Sequence, residues 1–334
     1  MYYMSKKKIL KFITVLTMTV LLLFGYSVVN ASGQIPPAQL PTGSLGSNTV
    51  DIRTTTESAT PNTHGAFRAR CFYSHMNYDD PIVFPNQIGA SHLHTFFGNT
   101  KTNANSTYQS LTTSGNSTCE GGIANRSAYW VPTVMTATGN PVPPSFLLVY
   151  YKSFTTSTVK NIPNALRMVA GSSKAQNAQD PKVTFWECRN PSNVVVGTGA
   201  SIPNCPKNST LKLRVNFPIC WDGFNLDSTD HKSHVSYGVK GKCPLSHPVN
   251  IPNVGFLVQW NVTTNSTTGW RLSSDMYDQS IPGGYSAHAD WFEGWKPEIR
   301  TTWFENCLRG SKDCHVGLLD DGEILYNRVV PTRR

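Results

Sequence analysis

From residue 210 to 219 the chain reads TLKLRVNFPI. Leu211, Leu213, Val215 and Phe217 alternate with Lys212, Arg214 and Asn216. A period of two places the apolar set on one face of a strand and the polar set on the other. Three more stretches have strand length and strand composition: SFLLVYYKSF (145–154), PKVTFWEC (181–188) and GFLVQWNVTT (255–264). Each is rich in aromatic and β-branched residues and is bounded by Pro, Gly, Asn or Ser. Almost nothing keeps a helical period over three turns, and 22 prolines interrupt the chain. The pattern predicts a mainly β fold, a sandwich or jelly-roll-like single domain with long disulfide-tied loops. No internal repeat is visible.

The first 31 residues break this pattern. Lys6, Lys7, Lys8 and Lys11 precede an apolar run over residues 13–29, and VNA ends at Ala31. This is the form of a secretory signal peptide, with an uncleaved anchor as the alternative. Ser27 and the threonines at 14, 17 and 19 favour cleavage. Residues 32–60 are rich in Pro, Ser, Thr and Gly without periodicity, which predicts a linker or loosely held arm. Residues 61–334 then form the single β-rich domain.

Charge and cysteines refine the class. Four lysines of the net +9 belong to the leader, which leaves +5, scattered along the rest of the chain. Nucleic-acid binding needs clustered basic residues that neutralise successive phosphates, so no nucleic-acid partner is expected. An exported monomer, free of the membrane after cleavage, fits better. Eight cysteines and no Cys-x-x-Cys pair predict disulfides. Sequential pairing is expected: Cys71–Cys119, Cys188–Cys205, Cys220–Cys243 and Cys307–Cys314. Six Asn-x-Ser/Thr sequons, at Asn105, Asn116, Asn125, Asn208, Asn261 and Asn265, suit a glycosylated exported surface.

The candidate chemistry lies in four short stretches that hold six of the nine histidines. GASHLHTFFGNT (89–100) carries His92 and His94, which share a face if extended. ARCFYSHMNYDDPIVFP (69–85) carries His75, Asp79 and Asp80. CWDGFNLDSTDHKSHVSY (220–237) carries Asp222, Asp227, Asp230, His231 and His234. GGYSAHADWFEGW (283–295) carries His288, Asp290 and Glu293, with His288 and Asp290 again two apart. Taken singly, each has a plain structural reading: a hydrogen-bonded surface pair, a turn-forming aspartate, a core tryptophan. Their recurrence predicts one cleft.

Four long segments, YDDPIVFPNQIGASHLHTFFGN, YWVPTV, FPICWDGFNLDSTDHKSHVSY with CPLSHPVNIP, and GGYSAHADWFEGW, together resemble DUF1996, a family of exported proteins of unknown function. The resemblance spans residues 66 to 307. It implies secretion, and it hints at carbohydrate, because some members carry wall- or glucan-binding modules such as WSC or lectin-like domains. This chain has no such appended module, and the resemblance supplies no catalytic residue.

Two functions of different class follow. The first is a secreted enzyme that cleaves extracellular polysaccharide or cell-wall glycan, as hydrolase or lyase. His92, His94, His231, His234 and His288 with Asp222, Asp230 and Asp290 would be its acid–base groups. Trp221, Trp291 and Trp295 would be stacking surfaces for sugar rings. The second is a non-catalytic carbohydrate-binding or cell-surface protein using the same aromatics. A metal-supported form of either would draw on His92, His94 and His288 for Zn or Cu. The enzyme is preferred, because five imidazoles beside carboxylates exceed what sugar binding requires. No nucleophile elbow, nucleotide-binding fingerprint, HExxH motif or N-terminal histidine brace is present.

Overall fold

The computed structural model describes residues 34–153, 159–239 and 241–327. The leader at 1–31 lies outside them. Two compact units are distinguished, Met1–Leu40 and Pro41–Arg334. Of the first, residues 34–40 are described and hold one short 3-10 turn, Pro37–Gln39.

The second unit is built on two sheets. The larger has eight strands in the order Val195–Gly199, Thr184–Arg189, Thr210–Asn216, Asn253–Asn261, Phe146–Lys152, Ala66–Cys71, Lys312–Val316 and Thr60–Pro61. All neighbours are antiparallel except Lys312–Val316 with Ala66–Cys71. Its second to fifth strands fall on the four stretches with the clearest strand composition. Leu211, Leu213 and Val215 are fully buried while Arg214 is exposed, so the period of two is set by this sheet's one buried face.

The smaller sheet is antiparallel throughout. Its order is Tyr73–Asn77, His94–Gly98, Ala128–Pro132, His288–Phe292 and Arg167–Gly171. One face packs on the larger sheet. Trp291 meets Tyr151 at 6.4 Å, Tyr129 meets Phe256 at 5.7 Å, and the Tyr129 and Tyr151 hydroxyls pair at 3.0 Å. These contacts make the second unit a β-sandwich. The opposite face is covered as well: Phe96, Ala128, Trp130, Val169 and Phe292 pack with Ile82 and with Leu111 of the helix Tyr108–Thr113. A sheet buried on both faces loses its polar–apolar alternation. This explains why His94–Gly98, Ala128–Pro132 and His288–Phe292, buried at every position, do not read as strands from periodicity.

The four disulfides join Cys71–Cys119, Cys188–Cys205, Cys220–Cys243 and Cys307–Cys314, in the expected sequential pairing. Such bonds persist in oxidising compartments. No helix among the described residues is long and apolar enough to cross a membrane. Part of the expected arm is integrated in the fold. Ile52–Thr54 pairs with Glu323–Leu325, Ser47 bridges Ser117, and Thr60–Pro61 closes one edge of the larger sheet. Composition did not signal this, because these links are made by backbone groups. Among the sequons, Asn125 is fully buried, and its amide bonds the Tyr129 hydroxyl, so the folded chain offers no acceptor there.

Candidate functional site

Strand register assembles the site on the covered face of the smaller sheet. Asp290 pairs with Trp130 on one side and Val169 on the other, and Trp130 pairs with Phe96. One step along, His94 lies opposite Pro132 and His288 opposite Gly171. Side chains two apart share a face, so His94 sits with Phe96, and His288 with Asp290. His92 precedes its strand, yet its ring lies 4.2 Å from that of His94 and 5.0 Å from that of His288, centroid to centroid. The His94 and His288 rings are 5.8 Å apart.

The loop after Asn77 closes over this group. Asp79 anchors it twice: its carboxylate accepts the Gly89 N–H, and its carbonyl accepts Nδ1–H of His94 at 3.0 Å. Asp80 follows, with one oxygen accepting the N–H groups of Ile82 and Val83, both at 2.9 Å. Ring nitrogens of His92, His94 and His288 lie within 4.8 Å of one another, as do donor atoms of Asp80, His94 and Asp290.

The electrostatics are those of a buried polar cluster with the Lys232 ammonium as a nearby charge, acting on His288 and Asp290 from beside the edge strand. His94, His288, Asp80 and Asp290 are all buried, while His92 is half-buried at the edge. Burial brings the His94 and His288 imidazoles down to about 4. The same desolvation, with the two neighbouring rings, drives His92 far below its usual value. Asp290 is pushed well above the usual carboxyl range by burial and then by Asp80, and burial also raises Asp80. His288 donates Nδ1–H to the Ser286 carbonyl at 2.8 Å, so its Nε2 is the lone-pair nitrogen. That Nε2 stands 3.9 Å from Asp290 Oδ2, too far for a hydrogen bond. Nε2 of His92, Nε2 of His94 and both Asp290 oxygens are buried with no hydrogen-bond partner among the described residues. Three neutral imidazoles and a carboxyl can move protons or ligate a cation.

The loop 222–237 does not deliver its candidates to this cluster. Asp222 caps a turn, accepting from Phe224 N–H, Asn225 N–H and the Asn225 amide. Asp230 accepts from Ser228, Lys232 and Ser233, organising its own loop. His234 spends both ring nitrogens, on the Arg167 carbonyl at 2.7 Å and on the Ser228 hydroxyl at 2.9 Å. His231 gives its Nδ1 to Asp227 at 3.0 Å, a carboxylate that Arg167 also reaches. These four are corrected from expected cluster members to loop-forming residues, because nearby polar groups satisfy them locally. The loop docks along the edge strand Arg167–Gly171, where the Lys232 ammonium bonds the Gly171 carbonyl at 2.6 Å.

The stacking candidates are corrected too. Trp291 and Trp295 are fully buried between the sheets, and Trp295 donates to the Tyr151 hydroxyl, so neither presents a face to a ligand. Trp221 is half-buried, and its indole N–H holds the Asn225 carbonyl at 2.6 Å. His75 stacks on Phe96 and bonds the Thr102 carbonyl, outside the cluster. Glu293 is buried against Arg300 at 2.7 Å. Asp80, noted only as part of its stretch, proves to be a close neighbour of the cluster. The adjacent Asp-Asp-Pro turn was its one sequence signal.

No curated protein and no solved structure matches the chain. A family model described as "Domain of unknown function (DUF1996)" matches residues 80–295, more than half of the chain. The matched span begins at Asp80 and contains His92, His94, His288 and Asp290, so the whole cluster falls inside it, and the chain belongs to the DUF1996 family.

Proposed function

We propose that this is a secreted protein that cleaves extracellular polysaccharide at the His92–His94–His288–Asp290 cluster. The observation that carries the reading is the convergence, from two distant segments, of three neutral imidazoles and a carboxyl, with Nε2 of His92, Nε2 of His94 and both Asp290 oxygens left without a hydrogen-bond partner. A protein conserving its stability alone gains nothing from such a group, since each unpaired buried polar atom costs about 1–3 kcal/mol. A carboxyl held protonated can donate to a leaving oxygen, and a neutral imidazole can accept a proton. His92 is the half-buried member, and glycan meets the cluster at its edge. A pure binder has less support, because the two tryptophans closest in sequence to His288 are in the core. Export is supported by the leader-like first 31 residues and by four disulfides.

The test is incubation of the secreted chain, and of its His94→Ala form, with a panel of neutral and acidic glycans. New reducing ends should appear with the parent chain, and an unsaturated product would mark a lyase. Loss of an acid–base group should slow turnover about 10²–10⁴-fold. A chain that neither cleaves nor retains any glycan of the panel removes the carbohydrate reading.

A further inference from the structure

The unspent atoms of the cluster are not scattered. They face one another. His94 and His288 each commit Nδ1–H to a backbone carbonyl, of Asp79 and Ser286 respectively. A ring fixed in this way has one tautomer, with its lone pair on Nε2, and this is the outer hydrogen bond that metal-bound histidines make. His94 Nε2 meets no hydrogen-bond donor, and neither does His92 Nε2. Beside them Asp290 holds two buried oxygens without a donor, and Asp80 turns one oxygen to backbone N–H groups while standing within 4.8 Å of His94 and Asp290. Two triads that share His94, namely His92–His94–His288 and Asp80–His94–Asp290, thus turn lone pairs toward one another, and no hydrogen-bond donor reaches Nε2 of His92, Nε2 of His94 or the Asp290 oxygens. Two carboxylates so close in a buried place repel each other unless a cation lies between them.

We infer that His92, His94, His288 and Asp290, with Asp80 alongside, bind one divalent transition-metal ion of the zinc type. The inference deepens the proposed polysaccharide-cleaving reading, on which it rests for the metal's use but not for its binding. Charge agrees: the ion displaces the proton that Asp290 holds in its absence, and a dication with Asp80 and Asp290 ionised and three neutral imidazoles sums to zero within these five side chains, the ion then taking over the electrophilic role of the protonated carboxyl. The donor set selects the class. Imidazole nitrogen with carboxylate oxygen and no thiolate fits Zn²⁺, Cu²⁺ or a neighbour such as Mn²⁺, whereas Ca²⁺ and Mg²⁺ prefer all-oxygen shells. Half-buried His92 marks the side from which an ion or a substrate enters. His64, His247 and His315 lie in other stretches, each with local partners or neighbours of its own, and do not contribute.

The experiment needs no substrate. The secreted chain is stripped by dialysis against a chelator, and Zn²⁺, Cu²⁺, Mn²⁺ and Co²⁺ are added singly, with metal content, thermal midpoint and, for Co²⁺, the visible spectrum as readouts. One ion per chain, a raised midpoint and a Co²⁺ spectrum of low coordination number are expected. Asp290→Asn and His92→Gln, which preserve size, should each weaken binding by at least ~10–100-fold, the range that loss of an outer partner alone costs. His247→Ala should leave it unchanged. If Asp290→Asn misfolds, His92 carries the test, since it is the half-buried member of the group. Failure of all four ions to bind overturns the inference, and so does binding that is indifferent to both variants. A chain that loads one ion and cleaves no glycan upholds the site and sinks the polysaccharide reading. A chain that cleaves glycan but never takes up metal does the reverse.

Discussion

Two aspartates show how differently one residue type is treated in this molecule. Asp290 is buried with neither oxygen hydrogen-bonded, and its carboxyl is pushed up. Asp313 is forked by Arg68, at 2.5 Å to Oδ1 and 3.2 Å to Oδ2, and its carboxyl is held down by that hydrogen bond. The first carries a cost that a ligand would relieve, and the second a small gain. Because the folded value of Asp313 lies below the unfolded one, its contribution is present above the ordinary carboxyl range, about pH 4, and is lost as pH falls through the folded value. Asp313 is 35% exposed, so solvent screens the pair and Asp313→Asn should cost at most about 1 kcal/mol at pH 7. Urea melts at pH 7 and pH 3 measure this. The gap between parent and variant should narrow in acid, and an unchanged gap would mean that packing rather than charge is responsible.

Among the elements, the loop 222–237 is the one whose sequence most resembles a site and whose structure least does. Its acids are consumed by its own turns. Asp230 Oδ1 accepts the backbone N–H groups of Lys232 at 3.1 Å and Ser233 at 2.9 Å, and these bonds hold its carboxyl far below the usual range. Asp230→Ala should therefore speed amide exchange at Lys232 and Ser233 and leave His92, His94 and His288 in place. Hydrogen exchange resolved by residue measures the first, and imidazole NMR shifts the second. Strong loss of glycan turnover in a variant with unaltered exchange would restore Asp230 to the chemistry. The strands His94–Gly98 and His288–Phe292 work in the opposite way. They place their polar side chains by register alone, so a slip of one residue in either would turn the histidine to the other face.

Over the whole molecule, the disulfides tie loops of very different length. Cys71–Cys119 spans 48 residues and Cys307–Cys314 spans 7. In the chain-entropy account, opening the longer loop costs about 1.7 kcal/mol more than opening the shorter one. Double Cys→Ala variants compared by denaturant melts test the order, and thiol titration of the unfolded, unreduced parent should find no free thiol. A reversed order would mean that the long loop keeps structure in the unfolded chain. The Cys220–Cys243 bond has a local task as well, since it closes the segment that contains the docked loop.

The mainly β class and four neighbouring strands of the larger sheet were legible in the chain, as was the fact of disulfide bonding, while the sequential pairing was one choice among 105. The strands rest on a local signal, since Leu211, Leu213 and Val215 alternate because one face of their sheet is wet, and Cys307–Cys314 closes a loop of only 7 residues, whereas Cys71 and Cys119 stand 48 apart and are brought together by the fold. His92, His94, His288 and Asp290 were legible as residue types at a spacing that shares a face. Their meeting was not. It depends on the antiparallel order that puts His94–Gly98 two strands from His288–Phe292, and sequence spacing carries no information about strand neighbours. The fate of His231, His234, Asp222 and Asp230 was decided by tertiary structure too, because a histidine beside carbonyls and hydroxyls of its own loop looks the same in sequence as one that awaits a ligand. Trp291 and Trp295 followed the same rule: composition names an aromatic, and only the packing of one sheet on another decides whether its face meets a sugar or a tyrosine.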